Sequence, residues 1–243
     1  MPTLLVIGAT SDIAHAAALL FGQKGWDLIL AGRDMERLED ISFNLRVRLA
    51  KDVPFYHYDV LDSHKRTELW DNLDPKPEAI LIAVGLLGDQ GEAKSCPELA
   101  LKVATVNFTG LIPIIIQASQ YYESIGKGSV IGISSVAGDR GRASNYPYGS
   151  AKAGFSAYLS GLRNSLSKKG VQVLTIKPGY VRTAMTANML LPGLLTATPE
   201  QVAKCIYKGV VKKKSVVYVK WFWRWIMFVI KSIPEFIFKR TNS

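Results

Sequence analysis

Short apolar runs alternate with helix-length segments through the first 180 residues, and this alternation limits the possible folds more than any other feature. The runs are rich in Val, Ile and Leu and lie at about 3–8, 27–31, 53–58, 79–84, 129–133 and 171–176. Such runs are typical of strands buried on both faces of a parallel sheet. Helical patterns lie between them, near 12–24, 34–50, 62–73, 97–125 and 146–168. The alternation predicts right-handed βαβ units and an α/β fold with a doubly wound parallel sheet.

The remainder of the chain predicts one more helix, one more strand and a C-terminal helix. Thr198 as N-cap, Pro199 at the first helical position and Gln201 form a capping box, so a helix begins there and runs to about Lys214. Residues 215–219 resemble a last strand and 221–233 a final helix. We predict a single domain over 1–219, followed by a basic aromatic tail over 220–243.

Composition excludes several protein classes. Hydrophobic residues make up 48% of the 243 residues, enough for a sizeable core, so a disordered chain is excluded. Cys96 and Cys205 form no disulfide framework and no Cys/His cluster, which predicts reduced thiols, a cytoplasmic protein and no metal site. We expect no signal peptide at Met1, and no run of about 18 uncharged apolar residues that would cross a membrane.

A turn after the first strand is the first candidate ligand site. The sequence Gly8-Ala-Thr-Ser-Asp-Ile-Ala14 joins a strand to a helix, where helix amides and the helix dipole favour a pyrophosphate. Only Gly8 matches a glycine of the dinucleotide fingerprint, because Asp12 and Ala14 occupy the other two glycine positions. Taken alone, the turn is explained better as an ordinary strand–helix connection.

Two charged residues follow neighbouring strands and refine this interpretation. Arg33 lies at the tip of the second strand, where an acidic residue suits a ribose hydroxyl and an arginine suits a 2′-phosphate. Arg33 therefore favours NADPH over NADH, unless it is simply a solvated residue at a helix start. Asp59 follows the third strand and either bonds adenine or caps the next turn.

The most specific signal is the pair Tyr148 and Lys152. On a helix these positions share one face, so the phenol lies near the ammonium. A nearby ammonium stabilises phenolate and lowers the pKa of tyrosine toward neutral pH, which suits general acid–base catalysis. Ser135 ends a strand at the carboxyl edge of the sheet, where folds of this kind bind ligands.

This combination resembles the short-chain dehydrogenase/reductase family over almost the whole chain. The resemblance implies a Rossmann-type fold and a catalytic tetrad of Ser135, Tyr148, Lys152 and Asn107. Pro178-Gly179 and Thr183 match the segment that borders the nicotinamide. The residues we assign to cofactor binding are Gly8, Thr10, Ser11, Asp12, Ile13, Arg33, Asp59, Gly85, Tyr148, Lys152, Pro178, Gly179, Val181 and Thr183. The chain departs from the family at Asp12, at Ala14 and after the fourth strand, where Ala83-Val-Gly85 replaces Asn-Asn-Ala-Gly.

The resemblance implies hydride transfer between a nicotinamide and a carbonyl/alcohol pair. Tyr148 would protonate the carbonyl oxygen, and Ser135 would orient it. Lys152 would hold the nicotinamide ribose and tune Tyr148, while Asn107 would anchor a water that links Lys152 to solvent. The resemblance implies no metal. It does imply a homo-oligomer.

Longer motifs resemble one subgroup of the family. They are Gly85–Asp89, Ser134–Arg140, Ser144–Ser150 and Val181–Met185. The subgroup includes decaprenylphosphoryl-2-keto-erythro-pentose reductases, which implies a keto sugar on polyprenyl phosphate, a cell-wall role and an oxidase partner. Arg140 and Arg142 are candidates for the substrate phosphate, or else solvated loop residues. The apolar segment 185–195 covers either a lipid-linked sugar, another hydrophobic substrate, or part of the core.

Two other functions stay open. One is reduction of a different apolar carbonyl, such as a 3-oxoacyl thioester, steroid or aldehyde, because one fold serves many substrates. The other is a cofactor-binding sensor with little turnover, against which the intact tetrad argues.

The C-terminal tail is the most basic part of the chain. Residues 201–243 contain ten Lys or Arg and only Glu235 as an acid, whereas the whole chain carries +10. Lys220, Arg224 and Lys231 fall within about 40° of one another on a helix, and Trp, Phe and Ile occupy much of the rest. This favours a helix lying on a membrane surface, aided by the nearby 212–214 lysines, rather than nucleic-acid binding. The alternative is burial against a second subunit. We expect a cytoplasmic protein, peripheral on the inner face of the membrane.

Overall fold

Seven parallel strands form the centre of the molecule. The structure, a computed structural model, describes residues 1–63 and 66–241. The strands are β1 (Thr3–Ile7), β2 (Asp27–Gly32), β3 (Phe55–His57), β4 (Ala79–Ile82), β5 (Gly128–Ile133), β6 (Val171–Lys177) and β7 (Val216–Tyr218). Their order across the sheet is β3-β2-β1-β4-β5-β6-β7, and every neighbouring pair is parallel. The predicted doubly wound sheet is confirmed.

Helices connect these strands. In the described residues they are α1 (Asp12–Gln23), α2 (Met35–Leu49), α3 (Glu68–Asn72), α4 (Gln90–Ala93), α5 (Pro97–Asn107), α6 (Ile112–Ile125), α7 (Tyr146–Leu166), α8 (Pro199–Val211), α9 (Phe222–Ser232) and α10 (Glu235–Phe238). Ser11 caps α1 by accepting from the Ala14 amide. The predicted capping box of Thr198 and Gln201 is confirmed at the start of α8.

Two apolar layers cover the two faces of the sheet. Alternate β1 side chains divide between them: Leu4 and Val6 face α1 and α8, whereas Leu5 and Ile7 face α6 and α7. The layers are fully buried at their centres, as Phe21 and Phe155 show. This double burial explains why the strands are continuous apolar runs, and it leaves the carboxyl edge of the sheet open for a site.

Two predicted helices differ from the structure. The predicted helix 62–73 is reduced to α3, with residues 64 and 65 outside the described part. The predicted helix 97–125 is broken by a 3-10 turn at Thr109–Leu111. Gly110 packs so tightly that an added Cβ would lie 2.5 Å from the Val60 carbonyl oxygen, and Pro113 occupies the first turn of α6.

Contrary to the expectation that no such run exists, the same 29-residue segment, Pro97–Ile125, is long and apolar enough to cross a membrane by length and composition alone. In this structure its apolar side chains pack on the sheet, where Ile114, Ile115 and Tyr122 are fully buried. The segment therefore contributes to the core of the fold.

The C-terminal helices pack near the carboxyl ends of β5, β6 and β7. Trp223 and Met227 of α9 are buried with Val136, and Tyr180 and Leu195 pack around them. The lysines 212–214 precede β7, and α9 follows it. These lysines therefore lie at the amino end of β7, whereas α9 begins at its carboxyl end. Residues 242 and 243 of the predicted tail lie outside the described part.

Candidate active site

A cavity of about 490 Å³ opens at the carboxyl edge of β1, β4, β5 and β6. It brings together residues that are up to 215 positions apart in the sequence, from Gly8 to Trp223. The predicted site residues that line it are Gly8, Thr10, Ser11, Asp12, Ile13, Arg33, Asp59, Gly85, Ser135, Arg142, Tyr148, Lys152, Pro178, Gly179, Val181 and Thr183. Asn107 lies directly behind the residues that line the cavity, and Arg140 faces away from the cavity.

Ser135, Tyr148 and Lys152, the predicted catalytic residues, lie together at one end of the cavity. Ser135 follows β5, and its Oγ accepts a hydrogen bond of 3.1 Å from the Ala137 amide. The Ser135 hydroxyl is hydrogen-bonded to Tyr148 in a way that favours the phenolate. Lys152 Nζ lies 5.8 Å from the centre of the Tyr148 ring and donates to the Ile133 carbonyl at 3.0 Å. The predicted proximity of the phenol and the amine is therefore present.

Burial shifts both titratable groups of this end. It raises the pKa of Tyr148 to about 12, an effect that the Ser135 hydrogen bond opposes. Burial lowers the pKa of Lys152 to about 7. Tyr148 is therefore a protonated donor at neutral pH, and Lys152 exchanges a proton in the same range. The expected lowering of the tyrosine pKa is not seen, because burial outweighs the hydrogen bond from Ser135.

Asn107 shapes the segment after β4. It is fully buried, and its Nδ2 donates to the Leu86 and Val103 carbonyls at 2.7 and 2.9 Å. Its Oδ1 accepts from the Leu86 amide at 3.3 Å. A Cβ added to Gly85 would lie 3.5 Å from Asn107 Oδ1 and 3.9 Å from Lys152 Nζ. Because Gly85 has no side chain, Asn107 Oδ1 and Lys152 Nζ lie close to this part of the cavity. The two asparagines that the family usually has after the fourth strand are missing here.

The turn after β1 forms the middle of the cavity. Gly8 has φ of 79°, and a Cβ there would lie 2.9 Å from the Val84 amide nitrogen, so this position requires glycine. The first amides of α1 have no partners within the helix and are available to a phosphate. Asp12 Oδ2 is engaged by the Ala184 amide at 2.7 Å, which joins the turn to the segment after β6.

Basic residues mark the other end of the cavity. Arg33 lies just beyond β2, and Arg37, which the sequence analysis missed, lies one helical turn further along α2. Both side chains are exposed and line the cavity. Asp59 lines it too, and its Oδ1 caps a turn by accepting from the Leu61 amide at 2.9 Å, so the capping interpretation is confirmed and the adenine contact stays a prediction. Arg37 lies in the first turn of α2, directly after the tip of β2, and this position could have identified it.

The C-terminal helix α9 supplies part of the cavity wall through Trp223. Trp223 packs on Gly179 so closely that any side chain at Gly179 would overlap its ring. Trp223 Nε1 donates to the Leu195 carbonyl at 3.3 Å. Met185 and Met189 add further apolar lining. The aromatic tail that was predicted to be separate thus completes the site.

The two candidate phosphate ligands have different surroundings. Arg140 donates to the Lys231 and Ile233 carbonyls at 3.1 and 2.9 Å and pairs with Glu235 at 2.7 Å. The proposed role of Arg140 as a phosphate ligand is therefore corrected: it binds the end of α9, whose free carbonyls attract a cation.

Arg142 faces the cavity instead. Within the described part of the chain, its Nε is buried with no hydrogen-bond partner, and so is Oδ1 of Asn145. Both residues line the cavity beside Tyr148. Asn145, which the sequence analysis missed, is a second polar group available to a substrate.

No group of three or more His, Cys, Asp or Glu side chains suitable for a metal occurs among residues 1–63 and 66–241. Both cysteines in that part are free thiols. Besides the carboxylates of Asp12 and Asp59, the polar groups of the cavity are hydroxyl, amine, amide and guanidinium groups, which suit an organic cofactor with phosphates.

Comparison with known proteins identifies the family. Residues 2–191 match the family model described as short chain dehydrogenase. An uncharacterized oxidoreductase of Mycobacterium tuberculosis is 31% identical over 240 residues, covering 98% of this chain and 96% of that protein.

Solved structures share the fold. A short-chain dehydrogenase from Sphingobium yanoikuyae in complex with NADPH superposes with a TM-score of 0.83 at 22% identity, covering 97% of both chains. A 3-oxoacyl-[acyl-carrier protein] reductase from Brucella melitensis has a TM-score of 0.79 at 18% identity, covering 90% of this chain and 89% of that one. The chain therefore belongs to the short-chain dehydrogenase/reductase family of nicotinamide-dependent oxidoreductases.

Proposed function

We propose that this protein is an NADPH-dependent reductase that converts a carbonyl to an alcohol, and that its substrate is a 2-keto pentose carried on polyprenyl phosphate. The observation that carries the reductase assignment is the placement of Tyr148, Ser135 and Lys152 in one cavity with the Gly8 turn. The structurally similar Sphingobium protein, which binds NADPH, supports the choice of cofactor.

The cavity fits NADPH by the chemistry of its two ends. Arg33 and Arg37 provide cations for a 2′-phosphate, and the first amides of α1 suit the pyrophosphate. Lys152 and Thr183 would hold the nicotinamide end. When bound, NADPH supplies a hydride to the carbonyl carbon of the substrate.

The side chains of this protein handle the proton and the geometry. Tyr148 donates its hydroxyl proton to the carbonyl oxygen, and the Ser135 hydroxyl hydrogen-bonds to that oxygen and orients it. Lys152, whose pKa lies near neutral, returns a proton to Tyr148. Asn107 holds the backbone at Leu86, so the segment beside Lys152 stays in place, and anchors a water between Lys152 and solvent.

Arg142 and Asn145 favour the keto-sugar substrate. The Arg142 guanidinium suits a phosphate, and Asn145 Oδ1 needs a hydrogen-bond donor, such as a sugar hydroxyl. A sugar attached to a polyprenyl chain would then extend along Met185, Met189 and Trp223. We extend the proposal to a homo-oligomer located peripherally on the inner membrane face in the cytoplasm, with an oxidase as the partner that supplies the keto sugar.

The second candidate is a 3-oxoacyl thioester reductase, favoured by the structural likeness to the Brucella reductase and by the apolar wall of the cavity. A 3-oxoacyl group has no hydroxyl near its carbonyl to satisfy Asn145. A cofactor-binding sensor is the third candidate, and it has no use for the acid–base pair.

Turnover of the two substrate types by wild type and Arg142→Met separates these candidates. We expect the keto pentose to be reduced, and kcat/KM for it to fall by about tenfold or more in Arg142→Met because a charge-assisted hydrogen bond is lost. A neutral aromatic ketone serves as the control, with an expected change within about twofold. Equal losses on both substrates, or turnover of the 3-oxoacyl thioester alone, would reject the keto-sugar assignment.

A further inference from the structure

Helix α9 has two apolar faces, and only one of them is covered. Trp223 and Met227 are 4% and 1% exposed, because that face packs on the catalytic domain. On the other side Trp221, Trp225 and Phe228 are 60–75% exposed, and Val229 is 61% exposed. A helix needs one apolar face to dock on a domain, so docking does not account for the second.

The exposed residues of α9 and its N-cap lie on one side of the helix and form a surface that we call the aromatic patch: Trp221, Trp225, Phe228 and Val229. Lys220 Nζ donates to the Leu194 carbonyl at 2.6 Å, which places Leu194 beside the start of α9. Leu194 is 88% exposed. Contiguous apolar surface of this kind, rimmed by polar residues, marks an interaction site.

Positive charge borders the aromatic patch. Arg224 and Lys231 are exposed and lie on α9 between its covered and uncovered faces, and Lys239 and Arg240 follow on the next turn of chain. Glu235, the one acid in residues 201–243, is paired with Arg140. Aromatic residues beside lysine and arginine are typical of helices that lie at the surface of an anionic bilayer.

We propose that the aromatic patch docks on an anionic lipid bilayer and that α9 thereby holds the substrate cavity against the membrane surface. This proposal deepens the proposed function. It rests on that function only for the identity of the lipid-linked substrate. The 11 residues of α9 span about 16 Å, roughly half of the hydrocarbon core, so the helix lies in the plane of the surface.

The charge pattern argues against a second copy of the chain as the occupant. A two-fold contact sets the same patch of each subunit against itself, so the basic border of one copy would meet that of the other. Anionic lipid headgroups neutralise that border, with about 1 kcal/mol gained per Lys or Arg at the surface.

Docking would leave the cavity wall intact. Arg140 binds three carbonyls at the end of α9, and Trp223 binds the Leu195 carbonyl, so the covered face is held to the domain. Trp223 and Trp225 project from opposite sides of one helix, which is about 10 Å across. The cavity therefore lies about one helix diameter from the lipid, within reach of a carbonyl group carried on a lipid.

Vesicle co-sedimentation of the full chain tests this proposal. Wild type is expected to bind vesicles that contain phosphatidylglycerol and not pure phosphatidylcholine vesicles. Trp225→Ser with Phe228→Ser should weaken binding by about tenfold or more, since both side chains leave the apolar contact. The matched control is Phe43→Ser on α2, which is 67% exposed on another surface and should bind as wild type does.

Two further readouts keep the result interpretable. Reduction of a water-soluble ketone without vesicles should be unchanged in all variants, which shows folding and tests the reductase assignment separately. Sedimentation velocity gives the oligomeric state. Absence of binding by wild type, equal binding by the double variant, or a loss of dimer with vesicle binding unchanged would each overturn the membrane proposal, the last in favour of a second copy.

Discussion

Burial determines the chemistry of the single residues that matter most here. A lysine in water keeps its proton far above neutral pH, but Lys152 is 2% exposed, and its pKa is lowered to about 7. The carbonyls of Ile133 and Val84 hold the amine in place. Tyr148 is shifted the other way, so a phenol that stays protonated lies beside an amine that titrates at working pH.

The depressed pKa of Lys152 predicts a pH dependence of stability. Above about pH 7 the unfolded chain keeps a proton on this lysine that the folded chain has released, so the free energy of unfolding rises with pH, by at most about 1.4 kcal/mol per pH unit. Below about pH 7 both states are protonated and this slope disappears.

Denaturant unfolding between about pH 6 and pH 9 measures this slope. Lys152→Met should abolish it, whereas Lys168→Met, which removes an exposed lysine, should keep it. If Lys152→Met retains the wild-type slope, the account of this residue is contradicted.

At the scale of elements, the sequence predicts what depends on local patterns. Apolar runs locate the strands, and Thr198 with Gln201 locates the start of α8, because period and capping are properties of neighbouring residues. The proximity of Tyr148 and Lys152 could be predicted for the same reason, since the two residues are one helical turn apart. The sequence could not show that Arg140 binds carbonyls about 90 residues away, nor that Trp223 packs on Gly179, because these contacts exist only after the chain has folded.

The contact between Trp223 and Gly179 predicts the outcome of a single added methyl group. Gly179→Ala should move α9 away from the cavity, because the new Cβ would overlap the indole ring, and we expect a loss of stability of about 1–3 kcal/mol. Increased exposure of the tryptophan, seen as a red shift in fluorescence, should accompany it.

Gly193→Ala is the control for this substitution, since no heavy atom lies within 4 Å of the position that its Cβ would take. It should match wild type in both measurements. Equal stability of Gly179→Ala and wild type would show that α9 is not held as described.

At the scale of the whole molecule, the two ends of the cavity present different side chains to their ligands. The end near β2 presents Arg33 and Arg37, and the other end presents Tyr148, Arg142 and the wall from α9. The fold joins these ends because parallel strands all point their carboxyl ends to the same edge. The proposed contacts to the cofactor and to the substrate therefore involve separate residues and can be tested separately.

Thermal stabilisation by NADPH and by NADH tests the proposed role of Arg33 in the choice of cofactor. A ligand at about 100 times its Kd adds about 2.7 kcal/mol to folding stability, so NADPH should raise Tm clearly. Arg33→Ala should weaken NADPH binding by about tenfold while NADH binding stays the same, because only NADPH carries the 2′-phosphate.

Arg46→Ala, on the outer part of α2 and paired with Asp52, is the control and should bind both cofactors as wild type does. A loss of both cofactors to the same degree in Arg33→Ala would exclude a role of Arg33 in selecting the phosphate.

The most direct test of the whole account is carbonyl-dependent NADPH oxidation by wild type, Tyr148→Phe and Tyr146→Phe, with NADPH binding measured in parallel. Tyr146 lies two residues earlier on the same helix and is 45% exposed, so its substitution is a matched control. The account predicts that Tyr148→Phe binds NADPH but turns over at least about 100-fold more slowly, as expected for loss of a general acid, while Tyr146→Phe matches wild type. Turnover by Tyr148→Phe at the wild-type rate would contradict it.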